Sequence, residues 1–147
     1  QVQRYLNKIS GPLLDRIDIQ CEISPVPFKE ISKAAPGEPS ASIRERVIRA
    51  REIQAERFKD FKGIHCNAQM TERMIHQFAE PTEEGINLLR MAMEKLSLSA
   101  RAYNRILKVA RTIADLAGSQ QIEPQHLAEA IGYRTLDRGD WAERGHF

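Results

Sequence analysis

Residues 99–118 read SARAYNRILKVARTIADLAG and carry the clearest helical signal in the chain. Apolar residues recur at spacings of three and four along this stretch, so they fall on one face of a helix. They are Tyr103, Ile106, Ala110, Ile113 and Ala117. Ser99 suits the cap of the first turn, and Gly118 stands where helices commonly end. Together with the segments around it, this stretch predicts a small helical bundle.

The segment 42–62 predicts one long and highly charged helix. Ser42 and Glu45 have the spacing of a capping box, and Gly63 ends a run without glycine or proline. The apolar stripe is narrow, so most of the helix should face solvent or a partner. Four arginines crowd its first half: Arg44, Arg46, Arg49 and Arg51. Two interpretations stay open for them, a solvated face with ion pairs such as Glu45 to Arg49, and contact with nucleic acid or a neighbouring subunit.

Three shorter helices complete the predicted bundle. The segment 71–78 is a weak helix that ends before Pro81. Thr82 is placed to cap the next helix, which extends to about residue 98 with apolar positions at helical spacing. Pro124 opens the last helix, which reaches about residue 133. The fold class is therefore predicted to be mainly α.

The segment 17–23 differs from the rest of the chain because apolar and polar residues alternate along it. That period of two predicts a strand. A lone strand leaves its backbone donors and acceptors unpaired, and no second segment has this pattern. We therefore expect it to join a sheet outside this sequence, and the chain to be part of a longer protein. A loop rich in Pro, Gly and Ser, at 24–42, separates the strand from the helices.

Composition excludes several classes of protein. The chain has 147 residues, 41% hydrophobic and 29% charged, as in one ordinary globular domain. The formal net charge of +2 is too small to indicate a nucleic-acid partner. No apolar run approaches the roughly 20 residues that span a bilayer, so we expect no membrane partner and a cytoplasmic location. Cys21 and Cys66 are too few for a disulfide framework.

Short motifs that carry chemistry are absent from the sequence. It has no GxxxxGK[ST] loop for phosphates, no apolar run ending in paired carboxylates for magnesium, no GxSxG and no HExxH. His65 and Cys66 are adjacent rather than spaced for ligation, and the other histidines are scattered, so no metal site is predicted. We expect that this chain alone is not catalytic.

Two arginines stand where a charge is structurally meaningful. Arg16 follows a short turn opened by Pro12 and precedes the strand, so it can reach outward from a sheet edge. Arg101 lies in the first turn of the helix at 99–118, where the helix dipole disfavours a cation. Position alone leaves two interpretations for each arginine, an ordinary salt bridge or a functional role.

Three segments resemble one protein family: KISGPLLDRIDI at 8–19, LSARAYNRILKVARTIADL at 98–116 and AIGYR at 130–134. They are similar to magnesium-chelatase-like AAA+ ATPases of the ComM (YifB) type. The resemblance implies a helical lid domain preceded by one strand of a missing α/β ATPase core. The implied parts are the end of the core at 1–24, a linker loop at 25–42, the lid at 43–138 and a tail at 139–147. The phosphate-binding motifs would lie upstream.

The resemblance also implies roles for three arginines. Arg16 matches the arginine finger that reaches the γ-phosphate of a neighbouring subunit, and a planar guanidinium suits phosphate oxygens. Arg101 matches the sensor-2 arginine, which faces the nucleotide of its own subunit. Arg105, one turn later, is a reserve candidate for that contact. Asp18 matches a family position without an assigned role. The implied cofactors are ATP and Mg²⁺ in the full-length protein, with none bound by this chain alone.

For the longer protein, the family implies an ATP-driven homo-oligomeric ring, a hexamer, that acts on DNA. The implied activity is branch migration by a helicase during competence and recombination, and the chain's other partner would be its own ATPase core. Two alternatives stay open. One is an ATP-driven motor subunit of a metal chelatase. The other is a stand-alone helical module that binds nucleic acid or protein through the four clustered arginines.

Overall fold

The computed structural model describes residues 11–14, 16–21, 23, 25–28, 35–96 and 98–134. Its helices are α1 (Gly11–Leu14), α2 (Ser40–Phe58), α3 (Glu72–Phe78), α4 (Glu83–Leu96), α5 (Ala100–Leu116) and α6 (Pro124–Gly132), with a 3₁₀ turn at Asn67–Gln69. The predicted mainly helical fold is confirmed. In the described ranges, no helix is both long and apolar enough to cross a bilayer. The first ten residues and the predicted tail at 139–147 lie outside these ranges.

Local cap chemistry sets several helix ends where the sequence predicts them. The hydroxyl oxygens of Thr71 and Ser99 accept backbone N–H bonds three residues ahead, at 3.4 and 3.2 Å. Pro124 occupies the first turn of α6. Gly118 follows α5 with φ at 69°, a left-handed conformation that glycine adopts without strain. These ends depend on neighbouring residues alone, which is why sequence patterns reveal them.

Helix α2 differs from the prediction at both ends. It begins at Ser40, with Pro39 in extended geometry at the N-cap and no side-chain cap. The predicted capping box at Ser42 is wrong, because the Ser42 amide donates to the Pro39 carbonyl at 3.0 Å and lies inside the first turn. The helix ends at Phe58, before the predicted end, and the chain then turns through Gly63 at φ 79°.

Three phenylalanines explain this early end of α2. The rings of Phe58, Phe61 and Phe78 meet edge to face, with centroids 5.7 to 6.4 Å apart. Each such pair is worth about 0.5–1.5 kcal/mol beyond its area burial. The turn after α2, in which the Phe61 amide donates to the Phe58 carbonyl at 2.9 Å, brings Phe61 back onto the cluster.

Helix α5 lies at the centre of the bundle and packs against α2, α3 and α6. Its fully buried positions include Ala102, Ile106, Ala110 and Ala114. The predicted face is confirmed at Ile106 and Ala110, whereas Ala117 is exposed. The alanines leave room for the neighbouring helices to approach closely, because interaxial distance depends on the side chains at the contact.

A polar network is buried between α2, the 3₁₀ turn and α5. The Asp115 carboxylate accepts hydrogen bonds from Arg57 at 2.5 and 2.7 Å, from Arg111 at 3.1 Å and from Asn67 at 2.8 Å. Arg111 also donates to the carbonyls of residues 119 and 120 at 2.6 and 2.8 Å. Burial lowers the pKa of the Arg111 guanidinium, and the Asp115 charge opposes that shift. The network thereby fixes α2 against α5.

The segment 17–23 forms no strand within the described residues. The β-type contact among the described residues lies elsewhere, as one isolated parallel bridge between Pro81 and Ile122. The segment lies instead against the end of the bundle, where the Gln20 amide donates to the Tyr133 carbonyl at 2.9 Å. Its exposed apolar side chains are Ile17, Ile19 and Ile23. Pairing with a sheet outside this sequence stays a prediction.

Candidate functional site

An open groove of about 550 Å³ runs along the outer face of α5. Arg101, Arg105 and Lys108 line it at spacings of four and three, so they share one face of the helix. Other lining residues come from the segment before α2 and from the end of α6: Asp18, Ile19, Glu129 and Tyr133. The groove thus carries three basic and two acidic side chains, and Arg105 and Asp18 pair with each other.

Arg101 is exposed in the first turn of α5, directly after the Ser99 cap. Among the described residues, its side chain has no hydrogen-bond or ion-pair partner. The ordinary salt-bridge interpretation of its position therefore finds no support in this part of the chain. An anion beside Arg101 would meet both the guanidinium and the positive end of the α5 dipole.

Arg105 makes contacts that the sequence does not predict. Its Nη1 atom donates to Asp18 Oδ1 at 2.5 Å and to the Arg16 carbonyl at 2.8 Å. The Arg105 and Asp18 side chains are 33% and 49% exposed, so the ion pair is accessible to water. Arg105 thus holds the segment 16–18 against α5. A direct contact between Arg105 and a nucleotide would require this arrangement to change.

Arg16 follows α1, and its side chain is exposed. Its amide donates to the Leu13 carbonyl at 3.0 Å, and its own carbonyl accepts the bond from Arg105. Within the ranges described, the guanidinium contacts no hydrogen-bond acceptor or carboxylate. The backbone of Arg16 is therefore held from both sides, while its side chain is available to reach outward.

The arginine cluster of α2, defined by Arg44, Arg46, Arg49 and Arg51, is exposed throughout. Arg46 pairs with Glu38, and one of the two contacts, Nη2 to Oε2, measures 3.0 Å. The hydrogen bond from Arg46 lowers the pKa of the Glu38 carboxyl. The predicted ion pair from Glu45 to Arg49 is not found among the described residues. Three of the four guanidiniums thus face solvent without a carboxylate partner in that part of the chain.

Histidine and cysteine side chains form no metal-binding group in the ranges described. Cys21 and Cys66 are free thiols. His126 has a local structural contact instead, because its Nδ1 accepts the Glu123 amide at 3.1 Å at the start of α6. That contact fixes the first turn of α6.

Sequence reasoning missed the structural importance of Arg134. Its side chain is 1% exposed, and its Nη1 donates to the Ile17 carbonyl at 3.0 Å. The two residues are 117 positions apart, so no local spacing could indicate the contact. Arg111 and Asp115 were also missed, although their separation of four residues on a helix is a recognisable signal for an ion pair.

Comparison with known families and proteins gives consistent matches. The family described as "Magnesium chelatase, subunit ChlI C-terminal" matches residues 37–134, and "Magnesium chelatase, subunit ChlI" matches residues 1–31. Competence protein ComM of Haemophilus influenzae is 45% identical over 139 residues, which cover 94% of this chain and 26% of that protein. The uncharacterized protein YifB of Escherichia coli is also 45% identical, with the same coverage.

A more distant relative extends the same pattern. An uncharacterized protein of Mycobacterium tuberculosis is 36% identical over 132 residues, 90% of this chain and 26% of that protein. The chain thus spans about a quarter of the length of these relatives. The resemblance inferred from three sequence segments is confirmed, and the match extends through α2 to α6. This chain belongs to the magnesium chelatase ChlI family and carries its C-terminal region.

Proposed function

We propose that this chain is the lid-bearing C-terminal region of a longer ATPase and supplies two arginines to ATP hydrolysis. Arg101 contacts the phosphates of its own subunit's nucleotide, and Arg16 reaches the γ-phosphate bound by a neighbouring subunit. The observation that carries the proposal is the exposed Arg101 guanidinium, which lines the groove on α5 and has no partner in the described residues. The family match supports the same assignment.

The chemistry suits guanidinium groups. During phosphoryl transfer, charge spreads over the equatorial oxygens of the γ-phosphoryl group, and the catalyst mainly positions and stabilises it. A planar guanidinium donates two parallel bonds to such oxygens. The residues that cradle ATP and hold Mg²⁺ would lie upstream, since this sequence has no phosphate loop. This division of labour makes the chain inactive without its core.

Replacement of Arg101 by Ala in the full-length protein tests the cis assignment. We expect weaker ATP hydrolysis with an intact fold, because the side chain is exposed and supports no described contact. Arg90→Ala is the matched control, since Arg90 is an exposed helical arginine on α4 outside the groove. A stability loss of roughly 2–5 kcal/mol, as for truncation of a core residue, would instead assign Arg101 to the fold.

Arg16 is tested by mixing subunits. Arg16→Ala should leave ATP binding nearly unchanged and lower turnover by about 10³-fold or more, as for known arginine fingers. Mixing this variant with one defective only in the upstream phosphate loop should restore part of the activity, because intact loops then meet intact fingers at some interfaces. Mixed rings that form and exchange freely yet stay inactive would contradict a trans role.

We further propose that the hexameric ring acts in the cytoplasm and remodels branched DNA. Two observations support this: ComM carries the description of a competence protein, and Arg44, Arg49 and Arg51 face solvent on α2. Replacing these three arginines by Gln should weaken binding of branched DNA by the full-length protein. The slope of log affinity against log salt should fall by up to about 0.9 for each phosphate that an arginine no longer neutralises. Salt-independent or absent DNA binding would favour the metal-chelatase motor.

A further inference from the structure

Within the described residues, four hydrogen bonds join the segment 16–20 to the C-terminal half of the bundle. They are Arg105 to the Arg16 carbonyl at 2.8 Å, Arg105 to the Asp18 carboxylate at 2.5 Å, Arg134 to the Ile17 carbonyl at 3.0 Å, and the Gln20 amide to the Tyr133 carbonyl at 2.9 Å. Three of the four involve backbone atoms of the segment, so they fix the path of the chain.

These contacts differ in how readily they can open. Arg134 is 1% exposed and Gln20 is 7% exposed, so both contacts are shielded from water. A buried guanidinium whose acceptors moved away would be left as an uncompensated charge, which makes Arg134 the fixed point of the set. The Arg105–Asp18 pair is partly exposed and can break and reform in water. The Arg105–Asp18 pair is therefore the contact of this set that can change when the lid moves.

The backbone on both sides of Arg16 is held by these contacts. The Arg16 amide bonds back to the turn of α1, and the carbonyls of Arg16 and Ile17 are bound by the two guanidiniums. Because the backbone direction sets where a side chain can point, the contacts limit the directions open to the Arg16 guanidinium. Arg105 also lies one turn from Arg101 on α5, so a shift of α5 that follows Arg101 would move Arg105 with it.

We propose that Asp18, Arg105 and Arg134 are positioning residues for Arg16. They couple the orientation of the helical lid in one subunit to the arginine that serves the neighbouring subunit's nucleotide. This inference rests on the proposed role of Arg16 in trans. Helix α5 carries Arg101 and also holds the Arg16 segment through Arg105. A movement of the lid when its own subunit binds nucleotide should therefore change hydrolysis at the neighbouring site of the ring.

A double-mutant cycle in the full-length protein tests the inference. Asp18→Asn removes the charge of the half-exposed carboxylate with little risk to the fold. It should lower kcat by about 10- to 100-fold, since a small misplacement of a reacting group costs that much. The KM for ATP and the thermal midpoint should stay close to their original values. In the Arg16→Ala background, Asp18→Asn should cause no further loss, because it acts only through Arg16.

The control and the contrary outcomes are well separated. Glu56→Gln removes an exposed carboxylate from an ion pair with Lys59 at the end of α2, and it should leave turnover unchanged. Unchanged kcat in Asp18→Asn, or an equal loss in the presence and absence of Arg16, would overturn the positioning role. Normal turnover of Arg16→Ala alone would instead overturn the proposed function of Arg16. Arg134→Ala can unfold the bundle, so the cycle depends on Asp18.

Discussion

Asp115 shows how one carboxylate can organise the interior of this domain. Its side chain is completely buried, and Arg57, Arg111 and Asn67 all donate to it. Two guanidiniums share this carboxylate, and Arg111 has further carbonyl acceptors that compensate for its lost hydration. A buried network of this kind is stable only while every member keeps its partners.

Replacing Asp115 by Asn should lower the free energy of unfolding by about 3–5 kcal/mol, because two largely buried cations would be left without the anion they share. Urea denaturation of the 147-residue chain measures the loss. Asp60→Asn, at an exposed position in the turn after α2, should change stability by less than about 0.5 kcal/mol. Equal effects of the two substitutions would show that the network contributes little to stability.

Single-residue reasoning from the sequence predicted positions better than partners. The placement of Arg101 at the first turn of α5 follows from local helical pattern, and the structure agrees. The family resemblance makes Arg105 a reserve nucleotide contact, whereas the structure pairs it with Asp18, 87 positions away. Such a contact depends on how distant segments meet, and one sequence contains no signal for it.

At the scale of helices, caps illustrate the same distinction. A serine or threonine cap bonds to an amide three residues ahead, so Ser99 and Thr82 could be identified from spacing alone. The start of α2 could not, because Ser42 and Glu45 imitate a capping box while Pro39 occupies the N-cap. The spacing of Ser42 and Glu45 shows only that these residues could form a capping box. The extended backbone at Pro39 determines that the helix begins at Ser40.

Two serine substitutions test this difference directly. Ser99→Ala removes a cap and should destabilise the chain by about 1 kcal/mol. Ser42→Ala removes no cap and places a better helix former inside α2, so it should be neutral or stabilising by a few tenths of a kcal/mol. Urea unfolding of both variants checks the prediction. If Ser42→Ala lowered the free energy of unfolding as much as Ser99→Ala does, Ser42 would have to be a helix cap after all.

At the scale of the whole molecule, the segment 17–23 leaves apolar side chains exposed to solvent. Ile17, Ile19 and Ile23 are 40%, 53% and 89% exposed, although their alternation is typical of a half-buried strand. The chain spans about a quarter of its relatives' length, and the ATPase core that we propose for the longer protein would be available to cover them. The individual helices could be predicted because their backbone hydrogen bonds and caps are local, whereas a strand's partners are not.

Hydrogen exchange provides the measurement for this segment. The amides of Ile19, Cys21 and Ile23 should exchange quickly in the 147-residue chain and slowly in the full-length protein, because a sheet would bind them there. Amides in the middle of α5 provide the internal reference, since that helix is buried in the chain alone. Equal exchange of the segment in both proteins would contradict the expected strand pairing.

The bond between the Gln20 amide and the Tyr133 carbonyl has a mechanical consequence. It joins the segment before the helical bundle to the residue that follows α6, so these two parts of the chain lie next to each other. Tension applied between the segment at 16–20 and the residues after α6 would act first on this hydrogen bond and on the bond from Arg134 to the Ile17 carbonyl, before it stretched any helix. A pulling experiment across these two points should therefore show a first rupture that Arg134→Lys weakens, followed by the unravelling of the helices.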